Sequence, residues 1–252
     1  MGYSKNEKNV IALSCVLAAM FAFPQTASAM HIMEGFLPVS HSIFWSAVAL
    51  PFLVAGVIKI RKLLQENRRL LVLLAMAGAF VFIISALKVP SVTGSSSHMT
   101  GTGLAAILFG PLVTSVLGAI VLLFQALLLA HGGLTTLGAN TISMAVAGPL
   151  VAILLYKGGM KLKINRGVTI FVAAALGDLF AYIVTAAQLA VAYPSDGGDV
   201  MESLMLFLGV FAPTQVPLAI LEGVLTVLIF IALEKFARRE LEDIGILEAG
   251  AV

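Results

Sequence analysis

Cysteine is nearly absent from this 252-residue sequence, and the single copy, Cys15, lies in a short apolar run near the start. Charged residues make up only 11% of the chain, and the formal net charge of +2 is too small to indicate a nucleic-acid partner. The sequence contains no glycine-rich phosphate loop, no G-x-S-x-G elbow and no H-E-x-x-H motif. These absences leave enzymatic chemistry without a recognisable centre.

The first 29 residues have the pattern of a secretory signal peptide. Two lysines precede the apolar run Val10–Phe23, and an A-x-A cleavage site ends at Ala29. An uncleaved first transmembrane helix is the alternative, but the run is short for a span of about 20 residues and Pro24 ends it. Cleavage predicts one mature domain, residues 30–252, that starts at Met30. Because that domain has no cysteine, disulfides and thiolate metal ligands are excluded.

Long uncharged apolar runs dominate the rest of the chain. Hydrophobic residues make up 60% of the sequence, which is typical of an integral membrane protein. We therefore expect an all-α membrane protein, a helical bundle in the plasma (inner) membrane. The apolar blocks are Ser42–Ile58, Leu70–Leu87, Leu104–Ala130, Thr141–Tyr156, Val168–Ala192 and Leu204–Leu233.

Six blocks need not mean six crossings. The basic segment 59–69 belongs on the inside, where lysine and arginine accumulate. The basic segment 157–166 also falls inside, but only if the block Leu104–Ala130 crosses twice. Gly110-Pro111, in the first third of that block, is a natural position for a break. We predict about seven transmembrane helices, an outside amino terminus and an inside carboxyl terminus, with one of the pair around Gly110 short or re-entrant.

This topology places all four histidines on the outer side. His31 and His41 flank the amino-terminal segment, His98 lies in a loop rich in serine and glycine, and His131 follows the third apolar block. Loops at this side could assemble a polar pocket. For His41 and His131 the favoured interpretation is an ordinary loop or interfacial histidine without a ligand.

A free amino terminus followed by histidine is a tridentate chelator. After cleavage, the α-amine of Met30, the deprotonated amide of His31 and the Nδ1 atom of His31 would lie in one plane. One position in that plane remains for a further ligand. Nitrogen coordination of this kind suits Ni(II) or Cu(II), and low-spin Co(II) fits it as well. A chance Met-His pair is the alternative interpretation.

Two motifs, MHIMEGF (Met30–Phe36) and SSSHMTGTG (Ser95–Gly103), resemble the CbiM/NikM family. That family is the cobalt- or nickel-specific membrane component of energy-coupling-factor ABC transporters. The resemblance extends over most of the mature chain and includes LTTLGAN (Leu134–Asn140). It is closer to the cobalt type, and it implies import of Co(II) for cobalamin biosynthesis. Ni(II) is the alternative substrate, and no organic cofactor is implied.

The resemblance also implies a metal site and partners. Four nitrogens would bind the ion: the amine of Met30, the amide and imidazole of His31, and the imidazole of His98. The implied partners are a scaffold transmembrane subunit, ATP-binding cassette subunits and often a small accessory membrane protein.

Three small residues recur every four positions in the first span, namely Ala47, Pro51 and Ala55. By the same resemblance this stripe would dock onto the scaffold subunit, and packing within the bundle is the alternative.

Further polar residues are candidates for supporting roles. Glu34, Ser97 and Asn140 could orient the imidazoles or bond the buried amine, with ordinary loop hydrogen bonding as the alternative. Glu34 stands where the family has aspartate before Gly-Phe, which makes its role less certain.

Asp178 and Glu222 lie inside apolar runs, a costly placement that marks functional residues in membranes. A stand-alone secondary carrier, the rival function, would use them as ion-coupling sites. A subunit of an ABC system would use them for packing, gating or partner contacts. The predicted topology puts Asp178 toward the inner half, far from the histidines, and this favours the second interpretation.

Overall fold

The computed structural model describes residues 31–90, 96–195 and 197–247, so the predicted signal peptide and Met30 lie outside its described residues. The described residues form a helical bundle with one antiparallel ribbon of two-residue strands. The predicted all-α membrane bundle is therefore confirmed. In chain order the elements are α1 (Val39–Glu66), α2 (Leu70–Ala86), β1 (Val89–Pro90), β2 (Ser96–Ser97), α3 (Thr102–Phe109), α4 (Pro111–Leu129), α5 (Leu137–Asn140), a π-helical stretch (Thr141–Ala147), α6 (Gly148–Lys161), α7 (Arg166–Ala192), α8 (Val200–Phe236) and α9 (Arg238–Asp243).

Several of these helices are long and apolar enough to cross a membrane. Within the described ranges, five qualify: α1, α4, the continuous helix Leu137–Lys161, α7 and α8. The apolar helix α2 is shorter, with 17 residues. By contrast, α3 has eight residues and rises only about 12 Å, well short of a bilayer core of about 30 Å. The chain is thus a multi-pass membrane protein with one short helix inside the bundle.

The break predicted at Gly110-Pro111 is present between α3 and α4. Gly110 has a φ of +82°, a left-handed conformation that glycine adopts without strain, and Pro111 is the first residue of α4. A Cβ atom at Gly110 would lie 3.3 Å from the Nζ atom of Lys59 in α1. The break therefore lies at the end of the bundle where α1 carries its basic residues.

The two helices around the break return the chain to the end it left. His98 precedes α3, His131 follows α4, and the centroids of their rings are 5.0 Å apart. A single straight crossing would separate these two residues by the thickness of the bundle. The block Leu104–Ala130 therefore goes in and comes back, and α3 is the short member of the pair.

Helix α1 touches the bundle along one narrow stripe. Its buried residues are Ser42, Ala49 and Gly56, spaced seven apart on one face. At Gly56 the helices approach so closely that a Cβ atom would lie 2.2 Å from the backbone oxygen of Leu112 in α4. Only glycine permits this contact, which is the way small residues pack membrane helices.

Replacing Gly56 with alanine should therefore destabilise the bundle. The added methyl group overlaps the backbone of α4, and overpacking of this kind costs about 1–3 kcal/mol. Gly78→Ala in α2 is the matched control, because its added methyl group would meet only a Leu117 side-chain atom at 3.7 Å. Thermal unfolding of the purified protein should show a lower midpoint for Gly56→Ala and no loss for Gly78→Ala. Equal midpoints for the two variants would contradict the close contact between α1 and α4.

Candidate metal centre

Three histidines from remote parts of the chain meet inside the bundle. His31, His98 and His131 are 1%, 0% and 2% exposed, and one ring nitrogen from each lies within 4.8 Å of the others. The ring centroids of His31 and His98 are 4.3 Å apart. The structure thus brings together the two histidines that the sequence analysis selected as ligands. Met30, the third proposed ligand residue, lies outside the described residues.

His131 is a correction to the sequence analysis, which treated it as an ordinary loop histidine. It is buried, and its Nε2 atom lies 2.7 Å from the Nδ1 atom of His31. The return of α4 to the starting end of the bundle places it there. His41 differs, because it lies in α1 outside the cluster and its Nδ1 atom contacts only the hydroxyl of Ser40, at 3.4 Å, among its described side-chain contacts.

Met144 is a further residue that sequence reasoning missed. Its sulfur lies 3.0 Å from the Nε2 atom of His31, and its side chain is fully buried. It belongs to the π-helical stretch Thr141–Ala147, a conformation that is rare and often found at functional sites. No local pattern distinguishes this methionine from the nine others in the chain, so only the fold identifies it.

The contacts indicate where each ring carries its proton. Both contacts of His31 are satisfied when its Nε2–H donates to the Met144 sulfur and its Nδ1 accepts from the Nε2–H of His131. The Nδ1–H of His98 donates to the carbonyl of Met99 at 2.8 Å. The Nε2 atom of His98 is buried and has no hydrogen-bond partner in the described part of the chain. The cluster therefore offers lone pairs at His31 Nδ1 and His98 Nε2.

Burial keeps these imidazoles uncharged. Desolvation lowers the pKa of His31 and His131 well below the usual value, and lowers that of His98 to about 4. Neighbouring rings and Lys88 lower the pKa of His31 further by Coulombic repulsion. At neutral pH all three rings are therefore in the form that binds metal ions.

Asn140 holds the backbone next to His31. Its side-chain oxygen accepts from the amide of Ile32 at 2.8 Å, and its Nδ2 atom donates to the carbonyl of Ile32 at 3.0 Å. The hydroxyl of Thr136 donates to the same carbonyl at 2.6 Å. Among its described hydrogen bonds, Asn140 contacts no imidazole; it positions His31 through the neighbouring peptide groups.

Glu34 joins the amino-terminal segment to the loop that carries His131. Its carboxylate accepts from the backbone amides of Leu134 and Thr135, and its own amide donates to the carbonyl of Gly132 at 3.1 Å. Hydrogen bonds from Thr135 lower the pKa of the carboxyl, so it is ionised at neutral pH. The described bonds of Glu34 thus fix the loop and reach no ring.

Ser97 and the intramembrane acids anchor the segment around His98. The hydroxyl of Ser97 lies 2.8 Å from that of Thr214 in α8 and makes no described bond to an imidazole.

Asp178 accepts from the backbone amide of Thr100, two residues after His98, at 3.2 Å. The prediction that Asp178 lies far from the histidines is therefore wrong. The prediction failed because residues 97–101 descend into the bundle, where every one of them is buried.

The spacing of the three rings is close to that of ligands on a single ion. In a square-planar site, nitrogen ligands lie about 2.0–2.1 Å from the metal. Adjacent ligands are then roughly 2.8 Å apart, and opposite ligands are about 4 Å apart. The nitrogens of His31 and His131 are 2.7 Å apart, and all three ligand atoms lie within 4.8 Å. Neutral imidazoles suit Co, Ni, Cu or Zn rather than Mg or Ca.

Known proteins of similar sequence and structure are metal transporters. Residues 31–240 match the CbiM family, described as the cobalt uptake substrate-specific transmembrane region. The cobalt transport protein CbiM of Lachnoclostridium phytofermentans is 58% identical over 98% of this chain and 99% of its own length. That of Chlorobium limicola is 58% identical over 88% of this chain and 87% of its own. A crystal structure of a truncated transition metal transporter superposes with a TM-score of 0.73 and 27% identity, over 81% of this chain and 98% of that one.

The bonds between Asn140 and Ile32 predict the effect of Asn140→Asp. The variant places an oxygen against the carbonyl of Ile32, and loss of a buried hydrogen bond costs about 1–3 kcal/mol. Hydrogen exchange of the Ile32 amide should therefore become roughly 5- to 150-fold faster, as tenfold corresponds to about 1.4 kcal/mol. Ser40→Ala, which removes one exposed contact, should leave that exchange rate unchanged. An unchanged exchange rate in Asn140→Asp would show that the bond from Asn140 Nδ2 to the Ile32 carbonyl does not hold the segment around His31.

Proposed function

The chain belongs to the CbiM family of cobalt uptake transmembrane regions, and on this basis we propose that it captures Co(II) as the substrate-binding component of an energy-coupling-factor ABC importer. Its role in the cell would then be to supply Co(II) for cobalamin biosynthesis. The observation that carries the proposal is the buried cluster of His31, His98 and His131. Ni(II) is the alternative substrate, because the same nitrogen ligands suit it.

The proposed ligands extend the cluster by the residue that precedes it. Once residues 1–29 are removed, the amine of Met30, the amide of His31 and the Nδ1 atom of His31 close two chelate rings. The Nε2 atom of His98, which has no partner among the described residues, supplies the fourth nitrogen. The ion would take the lone pair of His31 Nδ1, the atom to which the Nε2–H of His131 donates.

His131 then has two possible positions beside the bound ion. If its proton moves to Nδ1, the freed Nε2 atom lies at the separation expected of an adjacent ligand, since it is 2.7 Å from His31 Nδ1. If it keeps the proton, it must turn aside. In both cases His31 Nδ1 exchanges its hydrogen bond with His131 for a bond to the metal ion. His131 would therefore change its contacts when the ion binds.

The proposed importer requires partner subunits. The chain has no nucleotide-binding motif, so ATP-binding cassette subunits would act through a scaffold transmembrane protein, often with a small accessory membrane protein. Helix α1 is the proposed docking surface, because it is buried only along Ser42, Ala49 and Gly56. Ala47 and Pro51 are exposed and Ala55 is half-buried, which leaves this small-residue face available to a partner.

Histidine variants test the proposed ligands. His98→Ala removes the fourth nitrogen and should weaken Co(II) binding by about 10–100-fold or more, because loss of even an outer supporting group costs that much. His31→Ala should abolish specific binding. Inserting one alanine between Ala29 and Met30 moves histidine to position three, so the protein should still bind Ni(II) or Cu(II) but fail to transport Co(II). Titration of the purified protein and uptake by vesicles that contain the partner subunits provide the measurements.

His41→Ala is the matched control, because His41 lies outside the cluster and its loss should change neither binding nor uptake. Vesicles that contain this chain without partners should show no uptake. Uptake by those vesicles would favour a secondary carrier over an ABC component. Parental affinity and transport in His98→Ala would refute the four-nitrogen site.

We also propose that the histidine cluster faces outside and that the loop after α6 faces inside. The mature chain would have no cysteine, so single added cysteines report their side cleanly. Leu134 and Leu162 are suitable positions, since they are 54% and 74% exposed. Leu134→Cys should react with a membrane-impermeant maleimide from outside, and Leu162→Cys only after the membrane is opened. Reaction of Leu162→Cys in intact cells would reverse the proposed orientation.

A further inference from the structure

Polar side chains of α7 and α8 hold the backbone on both sides of Met99. The Nε2 atom of Gln215 donates to the carbonyl of His98 at 3.2 Å. The backbone amide of Thr100 donates to Glu222 at 2.6 Å and to Asp178 at 3.2 Å. The backbone around the candidate ligand His98 is therefore bound to two long helices at once.

The three polar side chains form one buried network. Asp178, Gln215 and Glu222 are at most 1% exposed, and Gln215 also donates to Asp178 at 2.5 Å. The hydroxyl of Thr100 donates to Glu222 at 2.9 Å. In the part of the chain that the structure describes, the ion pairs are Arg166–Glu234 and Arg238–Glu242. Neither buried acid therefore has a basic partner there, and amide and hydroxyl donors satisfy both.

The network acts on the ring of His98 through one peptide group. The amide that the two acids bind, that of Thr100, belongs to the same planar unit as the carbonyl of Met99. In a trans peptide the N–H and the C=O point in opposite directions. When the acids hold the N–H, they therefore direct the Met99 carbonyl the other way, toward the Nδ1–H of His98, which donates to it at 2.8 Å. A carboxyl oxygen that accepts from the N–H also strengthens the carbonyl as an acceptor.

We propose that Asp178 and Glu222 are positioning residues for His98, acting through the Met99–Thr100 peptide. By fixing the proton on Nδ1, they keep the Nε2 atom of His98 unprotonated and free for a metal ion. This inference rests on the proposed function and adds to it a role for the intramembrane acids. Packing alone would explain their burial, but it would not require both acids to meet at a single backbone amide.

Asp178→Asn is the sharpest test of the network. In the parent, one oxygen of Asp178 accepts from Thr100 and the other from Gln215, so both neighbours are donors. The amide group of asparagine must face one of these donors with its own N–H atoms. Gln215→Met is the second variant, because it removes the donor to the His98 carbonyl with a similar volume and no new charge. Both changes should loosen the Met99–Thr100 peptide.

The first measurement needs no metal ion. In protein with ¹⁵N-labelled histidine rings, His98→Ala identifies the His98 signals, and the parent should show a protonated Nδ1 and an unprotonated Nε2. Asp178→Asn and Gln215→Met should both change this signature toward a mixture of tautomers. Thr226→Val is the matched control, because Thr226 lies one turn beyond Glu222 and its buried hydroxyl has no described hydrogen-bond partner. This control should leave the His98 signals unchanged.

The second measurement is the absorption spectrum and affinity of bound Co(II). Asp178→Asn should bind about 10–100-fold more weakly, with a spectrum shifted toward that of His98→Ala. If both variants keep the His98 tautomer and merely unfold at a lower temperature, the acids have a packing role and the inference is overturned. Failure of the parent to bind Co(II) would refute the proposed function instead, and the tautomer measurement would still decide the role of the acids.

Discussion

The chain must satisfy every backbone polar group that it buries, and at residues 97–101 this constraint determines the rest of the site. Helix α3 has eight residues, about 12 Å, so a non-helical segment covers part of the depth of the bundle. Backbone groups at this depth have no water to bind and must find protein partners. Gln215, Asp178 and Glu222 are those partners. The segment that carries His98 can therefore lie deep inside the bundle, beside the rings of His31 and His131.

The imidazoles depend on two separate systems of hydrogen bonds. Asn140 and Thr136 hold the peptide groups next to His31, and Glu34 joins that segment to the loop of His131. The segment of His98 is bound instead to Asp178 of α7 and to Gln215 and Glu222 of α8. None of the hydrogen bonds named here joins the segment of His31 to the segment of His98. The distance between the two parts therefore depends on how the helices pack.

Buried acids in a membrane usually suggest ion coupling, and their positions here favour a different explanation. Asp178 and Glu222 come from different helices but meet at the amide of Thr100. Their described hydrogen bonds are with Thr100, two residues after a candidate ligand, and with the side chain of Gln215. The role proposed for these acids follows from what each carboxyl group touches.

The sequence by itself determined the helical class, the apolar blocks and the break at Gly110, because each rests on composition or local pattern. It proposed His31 and His98 as ligands through a short motif and a family resemblance. Only the tertiary structure decided the place of His131, which lies 100 residues from its partner His31 along the chain. The contact of Met144 with His31 was also not predictable from the sequence. It depends on a π-helical stretch that hydrophobic periodicity does not reveal. The position of Asp178 was misjudged because the sequence shows where a helix begins and ends but not how far a loop descends between helices. Contacts between remote side chains arise from packing, and packing is a property of the whole bundle.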